Sequence, residues 1–188
     1  MPEGIPLPGK TKPTEREVRR AQVGKSEDWR FPHKKYEKGK DHPGVIVCPR
    51  CHAISEQKRW YVDEQRYAQL VKMSGVEEVV CPGCRRIEAH VYEGEVLLKS
   101  PLLVGRKNEA LSLIQNTAEE ARLENPISRV ASVDVRDGEI YVLTTTRWLA
   151  ERIGKEFAKA YGGELKIDRP PREKFARVRW VRDGQGQE

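Results

Sequence analysis

The chain has 188 residues, of which 37% are hydrophobic and 34% are charged, and its formal net charge is +6. This length suits one medium domain or two small ones with a modest core. No run approaches the roughly 18 apolar residues that a membrane span needs, so no transmembrane helix and no membrane partner are expected. The first residues lack the basic and apolar parts of a secretory signal, which predicts a cytoplasmic location.

Residues 1–44 are predicted to form a basic, Pro-rich arm with mostly irregular structure. They hold 11 Lys/Arg against 7 Asp/Glu and six of the 12 prolines. A basic polar arm is typical of proteins with an anionic partner, most often nucleic acid. Residues 29–36 mix aromatic rings with cations, which suits stacked bases and phosphates, so Lys34 and Lys35 are predicted to contact nucleic acid. Alternatively, Trp29 and Phe31 fasten the arm to the folded body.

Residues 4–11 match the letters G-x-x-x-x-G-K-[ST] of a phosphate-binding loop. That loop must lie between a buried strand and a helix, with its backbone N–H groups aimed at the phosphates. Pro6 and Pro8 have no N–H inside the loop, and Pro13 disturbs any helix that follows. We therefore do not predict nucleotide binding from this match.

The four cysteines form two C-x-x-C motifs, which we call knuckles: Cys48 with Cys51, and Cys81 with Cys84. Each knuckle turns at Pro or Gly, so that its two sulfurs face the same point. Two knuckles together provide the four thiolates of a tetrahedral structural zinc site. The sequence therefore predicts one structural Zn²⁺ per chain, held by these four residues.

Three other uses of the cysteines stay open at this stage. Two disulfides would need an oxidising compartment. A thioredoxin-like redox site would need one C-x-x-C near a βαβ unit. Iron can bind four thiolates in a rubredoxin-like site. His52 follows Cys51 and could serve as a ligand, but four cysteines already complete the set, so we predict that it is a bystander.

Residues 45–93 are predicted to form a zinc ribbon with an inserted helix. Short strands enter the first knuckle at residues 45–47, return at 58–62 and enter the second knuckle at 77–80, and a further strand leaves it within 85–92. The 29 residues between the knuckles exceed the usual spacing of roughly 15–20. Helical spacing of Tyr67, Leu70 and Val71 predicts a helix within residues 63–75, which accounts for the excess.

Four arginines lie close to the knuckles in the sequence, and we predict that they contact phosphate. The alternative is that they balance the negative charge of a zinc ion bound to four thiolates. These residues are Arg50, Arg59, Arg85 and Arg86.

Residues 94–182 are predicted to form an α/β unit, and residues 183–188 a tail. Strands are expected at 95–99, 130–136, 139–145, 164–168 and 176–182. One helix begins at Ser100–Pro101 and ends before Asn125, and another is capped by Thr146. This order is β-α-β-β-α-β with one strand added, which is the ferredoxin-like plan. The predicted fold class is therefore α+β, a zinc ribbon followed by a ferredoxin-like unit.

The last predicted strand places Arg177 and Arg179 on one face, opposite its apolar residues. We predict that both arginines contact phosphate, although a solvated face is the alternative. The aromatic signature of RNA-recognition modules is missing, and the hairpin offers only Tyr141, so the RNA-binding mode of those modules is not predicted. Because one fold supports many functions, the fold alone does not decide the matter.

Taken together, these motifs resemble a small bacterial family described as similar to the nonsense-mediated-decay adaptor, a zinc-ribbon protein of the large ribosomal subunit in archaea and eukaryotes. The resemblance implies that the paired cysteines bind zinc and that the protein acts in ribosome stability or mRNA decay. It carries over no catalytic residue. It covers roughly residues 30–182 and is carried by K-Y-x-x-G-K (35–40), V-C-P-x-C (47–51), R-W (59–60), C-P-x-C (81–84), N-P-x-x-R (125–129), T-T-T (144–146), L-A-x-R-I-G (149–154), A-Y-x-G (160–163) and R-V-R-W (177–180).

The sequence predicts a protein that is not an enzyme. Hydrolysis at zinc needs an open coordination position, and four cysteine ligands close it. No nucleophile elbow or metalloprotease motif is present. The predicted function is a non-catalytic zinc-ribbon protein that binds RNA or a ribosomal subunit. The alternative is a regulatory factor that meets a protein partner through the α/β unit without nucleic acid.

Overall fold

The computed structural model describes residues 44–136, 138–171 and 173–183. The predictions for the arm, including Lys34 and Lys35, fall outside the described residues, as do those for most of the tail. The described residues form a mixed α+β architecture with two sheets and five helices. None of these helices is both long and apolar enough to cross a membrane.

The first sheet has four short strands in the order β3-β2-β1-β4, with β1 antiparallel to β2 and parallel to β4. Gln57 and Lys58 have φ values of 50° and 67°, as the tight turn between β2 and β3 requires. These strands are β1 (Ile46–Val47), β2 (Ala53–Glu56), β3 (Arg59–Val62) and β4 (Glu77–Glu78).

The inserted helix is present as α1 (Glu64–Leu70). It begins at Asp63, whose side chain accepts a hydrogen bond from the backbone N–H of Arg66 at 2.8 Å. This is the usual N-cap arrangement. The helix lies within the predicted range of 63–75, which confirms that prediction.

The second knuckle opens a helix, α2 (Pro82–Glu88), so the prediction of a strand within residues 85–92 is wrong. Cys81 is the N-cap, and its sulfur accepts a hydrogen bond from the N–H of Cys84 at 3.4 Å. Pro82 occupies the first turn, where its fixed φ favours a helix and its missing N–H costs nothing. The knuckle itself therefore starts this helix.

The second sheet contains five strands in the order β6-β7-β5-β9-β8. Strand β5 pairs in parallel with β9, and the other neighbours are antiparallel. All five strands fall within one residue of their predicted bounds. They are β5 (Gly94–Lys99), β6 (Val130–Arg136), β7 (Glu139–Thr144), β8 (Glu164–Asp168) and β9 (Ala176–Val181).

Three helices accompany this sheet: α3 (Leu102–Gly105), α4 (Lys107–Glu124) and α5 (Arg147–Tyr161). One helix was predicted where α3 and α4 lie, but Arg106 leaves the helical region at φ −115° and ψ 30° and divides it. Helix α4 ends at Glu124, before Asn125 and Pro126, as predicted.

Helices α4 and α5 cover the same face of the second sheet and enclose the main core. Among the described residues the largest buried side chain is Trp180, whose Nε1–H donates to the carbonyl oxygen of Gly162 at 2.7 Å. The core residues include Val96, Leu98, Ile114, Ile140, Val142, Leu149, Ile153, Phe157 and Val178.

The connections form two split βαβ units. Strands β5 and β6 are joined by α4 with β7 between them, and strands β7 and β8 are joined by α5 with β5 and β9 between them. The added strand β9 thus lies inside the sheet, next to β5. The finer description as a ferredoxin-like unit stays a prediction.

Candidate metal centre

The sulfur atoms of the four cysteines lie within 4.8 Å of one another. The Sγ atoms of Cys51 and Cys81 are 3.4 Å apart, and those of Cys48 and Cys84 are 4.0 Å apart. No disulfide joins them, and all four side chains are buried. Tetrahedral zinc with Zn–S bonds of about 2.3 Å separates its sulfurs by about 3.8 Å. The cluster therefore has the dimensions of a four-thiolate metal site.

The first knuckle is a tight turn between β1 and β2. The N–H of Cys48 donates to the carbonyl oxygen of Ala53 at 2.7 Å, and the N–H of His52 donates to that of Cys48 at 3.0 Å. His52 has φ 61°, and this left-handed conformation turns the chain directly after Cys51. The turn places the sulfurs of Cys48 and Cys51 on the same side.

The second knuckle supplies backbone donors to the sulfurs. The N–H of Cys81 donates to Sγ of Cys48 at 3.3 Å, and the N–H of Cys84 donates to Sγ of Cys81 at 3.4 Å. Hydrogen bonds to a thiolate favour its charged form. These donors therefore prepare Cys48 and Cys81 as metal ligands.

The four thiols also shift one another's proton affinities. Hydrogen bonds with Cys51, Cys81 and Cys84 hold the pKa of Cys48 far below its ordinary range. Hydrogen bonds with Cys48, Cys51 and Cys81 raise the pKa of Cys84 far above its ordinary range. Four thiolates this close need a cation to compensate their charge. The donor set fits Zn²⁺ or iron bound by four sulfurs.

Arg122 on α4 connects the metal centre to the second sheet. Its side chain is only 5% exposed, and its Nη2–H donates to the carbonyl oxygen of Cys51 at 2.6 Å. Its Nη1–H donates to Oε1 of Glu119 at 2.7 Å. Sequence reasoning missed this residue, because Glu119 and Arg122 show only the spacing of an ordinary surface pair.

Gly83 provides a second close contact between the metal centre and the second sheet. A Cβ atom at this position would lie 2.5 Å from the carbonyl oxygen of Pro126 and 3.2 Å from Cα of Ile127. Only glycine allows the second knuckle to approach this loop so closely.

Two of the arginines predicted to contact phosphate are engaged within the protein. Arg86 donates to the carbonyl oxygen of Thr145 at 2.7 Å and pairs with Glu93 at 2.8 Å. Arg50 forms an ion pair with Glu88, which links the first knuckle to α2. Phosphate contact by Arg50 and Arg86 stays a prediction.

The remaining predicted arginines differ in their surroundings. Arg59 is exposed at the start of β3, and Arg85 is half-buried on α2. On β9, Arg177 pairs with Glu95 at 3.2 Å. Burial raises the pKa of Glu95, and Arg177 counteracts part of that effect. Arg179, two residues further along the strand, is exposed.

His52 lies outside the group of potential metal ligands found among the described residues, which consists of the four cysteines. Its Nδ1 lies 3.0 Å from Oε2 of Glu64, and its ring stacks on Tyr67 with the centroids 4.2 Å apart. These contacts use the imidazole to join the first knuckle to α1.

No family model, curated protein or solved structure matches this chain. The resemblance drawn from the motifs therefore stays a prediction.

Proposed function

We propose that this chain is a non-catalytic, ribosome-associated protein that binds RNA and whose four cysteines hold one structural Zn²⁺. The observation that carries the RNA part is a net charge of +6 combined with the exposure of Arg59 and Arg179. The closed, buried set of four thiolates supports a structural metal, because a catalytic zinc keeps a position open for water or substrate.

The finer assignments belong to the same proposal. Free, buried thiols suit a reducing compartment, which supports a cytoplasmic location. Zinc is proposed over iron because four thiolates supplied by two knuckles are the usual donors of structural zinc. The first half is then a zinc ribbon whose second knuckle leads into a helix, and the second half is a ferredoxin-like unit with an inserted strand.

Co-sedimentation of the full chain with ribosomal subunits tests the proposal. Electrostatic binding to phosphates weakens linearly on a log–log plot against salt, so a rise from about 50 mM to about 200 mM salt should reduce binding strongly. Metal analysis of the same preparation should give one zinc per chain. Absence of association at the lower salt would refute the RNA assignment, and a different metal would refute the zinc assignment.

A second candidate function is docking of a protein partner on the α/β unit. The observation that favours it is Trp148, which is 63% exposed at the start of α5. The guanidinium carbon of Arg147 lies 4.7 Å from the centroid of a Trp148 ring. Exposed tryptophans are enriched among the residues that dominate binding at protein interfaces. This function predicts association that tolerates salt and is lost in Trp148→Ala.

Trp148 also borders a cleft with a volume of about 350 Å³ between α4 and α5. Arg152 crosses the neighbouring surface and binds Glu120 and Glu124, each at 2.9 Å. The cleft therefore combines an aromatic wall with a rim of paired charges, which resembles the centre and rim of protein interfaces.

A further inference from the structure

We propose that the open face of the second sheet binds single-stranded RNA, with a base stacked on Tyr141 and a phosphate held between Lys166 and Arg179. This inference deepens the proposed function and depends on it, because RNA is the partner in both.

The open face is the side of the sheet opposite α4 and α5. Side chains alternate between the two faces of a strand. Val96 and Leu98 of β5 face the helices and are buried, so Leu97 and Lys99 belong to the open face. Helices α3, α4 and α5 all contribute buried residues to the main core, which lies on the other side of the sheet. Exposed residues of the open face include Lys99, Arg136 and Arg179.

The strand register places five residues in a straight row across this face, and the row begins at Asp134 on β6, which is paired with Tyr141. Tyr141 on β7 is paired with Leu97 on β5. Leu97 is paired with Arg179 on β9, and Arg179 is paired with Lys166 on β8. Because neighbouring strands lie about 4.8 Å apart, Tyr141 stands about 10 Å from Arg179. A nucleotide with its neighbouring phosphate spans that distance when the long side chains of Lys166 and Arg179 extend towards the phosphate.

Lys166 and Arg179 differ from the other cations of the open face. They oppose each other directly, and neither forms an ion pair with a residue in the described ranges. Like charges opposite each other on adjacent strands are destabilising. The other cations are paired as Arg136 with Asp134 at 2.7 Å, Lys99 with Glu139 at 2.6 Å and Arg177 with Glu95 at 3.2 Å.

A single anion between Lys166 and Arg179 would remove their repulsion. A phosphate group fits this position because its oxygens can accept hydrogen bonds from both side chains.

The rest of the row favours RNA over an acidic protein segment. Tyr141 provides an aromatic ring for a base, and Leu97 provides an apolar surface between the ring and the cations. Aromatic side chains combined with cations form the usual platform for single strands. An acidic peptide would use the two charges but leave the ring without a stacking partner. Single-stranded RNA is required because its bases are free to stack on the protein.

The test measures the affinity of the zinc-loaded full chain for a fluorescein-labelled oligouridine of about ten nucleotides, by anisotropy over a range of salt. The combined change Lys166→Ala and Arg179→Ala should weaken binding at least about tenfold and reduce the log–log salt slope by about 0.7, the value for one phosphate of a single strand. Tyr141→Leu should weaken binding by about 5- to 100-fold, whereas Tyr141→Phe should bind like the unmodified chain.

The matched control is the double change Lys155→Ala and Lys159→Ala, which removes the same charge from exposed positions of α5. It should leave affinity within about twofold, whereas an effect equal to that of Lys166→Ala with Arg179→Ala would overturn the inference. Circular dichroism and zinc content must match between all variants.

The remaining outcomes separate the two proposals. If the unmodified chain binds neither oligouridine nor ribosomal subunits at low salt, the proposed function fails. If it binds ribosomal subunits but not oligouridine, only this inference fails. If the chain binds and the substitutions of Tyr141, Lys166 and Arg179 leave its affinity unchanged, only this inference fails. Oligoglutamate serves as a competitor, and equal binding of it through the same residues would overturn RNA as the occupant.

Discussion

The guanidinium of Arg122 donates a hydrogen bond to the carbonyl oxygen of Cys51 at 2.6 Å. A helix that packs on the second sheet thereby holds the backbone of a metal ligand in the first knuckle. The metal centre and the α/β unit are therefore expected to lose stability together.

Replacing Arg122 with Met tests this connection, because it removes the guanidinium and keeps an apolar stem. The carbonyl of Cys51 would lose its charged donor, and such bonds contribute about 1.5–3 kcal/mol. We expect the free energy of unfolding, measured with urea, to fall by about 2 kcal/mol. Arg106→Met is the control, because Arg106 is exposed and 3.9 Å from Glu109. Its effect should stay below about 0.5 kcal/mol, and equal effects would contradict the assignment.

Cys48→Ser should abolish the metal site. Three remaining thiolates bind zinc far more weakly, and metal binding is coupled to folding in such sites. We expect elemental analysis to fall from one zinc per chain to a small fraction of that, with a lower melting temperature. A chelator should destabilise the unmodified chain in the same way. His52→Ala is the matched control and should keep its zinc. Full zinc content in the Cys48→Ser variant would show that the site is misassigned.

Gly83→Ala should destabilise the contact between the second knuckle and the loop at Pro126. The new methyl group would lie 2.5 Å from a backbone oxygen, so the backbone itself would have to move. Overpacking of this kind costs about 1–3 kcal/mol in the free energy of unfolding. Gly105→Ala adds the same methyl group with nothing within 4 Å. Thermal unfolding should separate the two variants, and similar melting temperatures would argue against the close packing.

Acid should weaken the pair formed by Glu151 on α5 and Arg169. Nε and Nη2 of Arg169 donate to the two carboxylate oxygens at 2.7 and 2.6 Å. These hydrogen bonds lower the pKa of Glu151 below its ordinary value of 4.5. The carboxyl group of Glu151 therefore binds a proton more tightly in the unfolded chain than in the folded one. The pair contributes stability that is fully present above pH 4.5 and is lost as the pH falls through the lower folded-state pKa.

Glu151→Gln measures that contribution. At pH 7 the free energy of unfolding should fall by about 1–2 kcal/mol, a modest value because Arg169 is half-exposed. At about pH 3 the difference from the unmodified chain should shrink. Glu156→Gln, whose carboxylate lies 3.8 Å from the exposed Lys159, is the control and should show little change at either pH. A difference that grows in acid would contradict the direction of the pKa shift.

Most secondary structure and the four-cysteine cluster follow from local signals in the sequence. Paired cysteines, the helical spacing of Tyr67, Leu70 and Val71, and the proline after Asn125 each act over a few residues. The helix α2 carried a local signal too, because a proline after a capping residue favours a helix start. The expected ribbon pattern outweighed that signal and produced the wrong strand.

Long-range features could not be predicted from local patterns. The contact from Arg122 to Cys51 spans 71 positions in the chain. The pairing of β9 with β5 depends on the whole sheet, and so does the opposition of Lys166 and Arg179. Arginines near the cysteines looked alike in sequence, yet Arg86 is half-buried between Thr145 and Glu93, and Arg59 is exposed.

Strand β9 comes after every other described strand, yet it lies between β5 and β8. Until residues 176–181 emerge during synthesis, the edges of β5 and β8 that pair with β9 have no partner, and the core lacks Trp180. Unpaired edges of this kind readily join strands of other chains. A chain truncated before β9 should therefore aggregate or be degraded rather than persist as a partly working molecule. The position of one strand makes synthesis of residues 176–181 a condition for a continuous sheet.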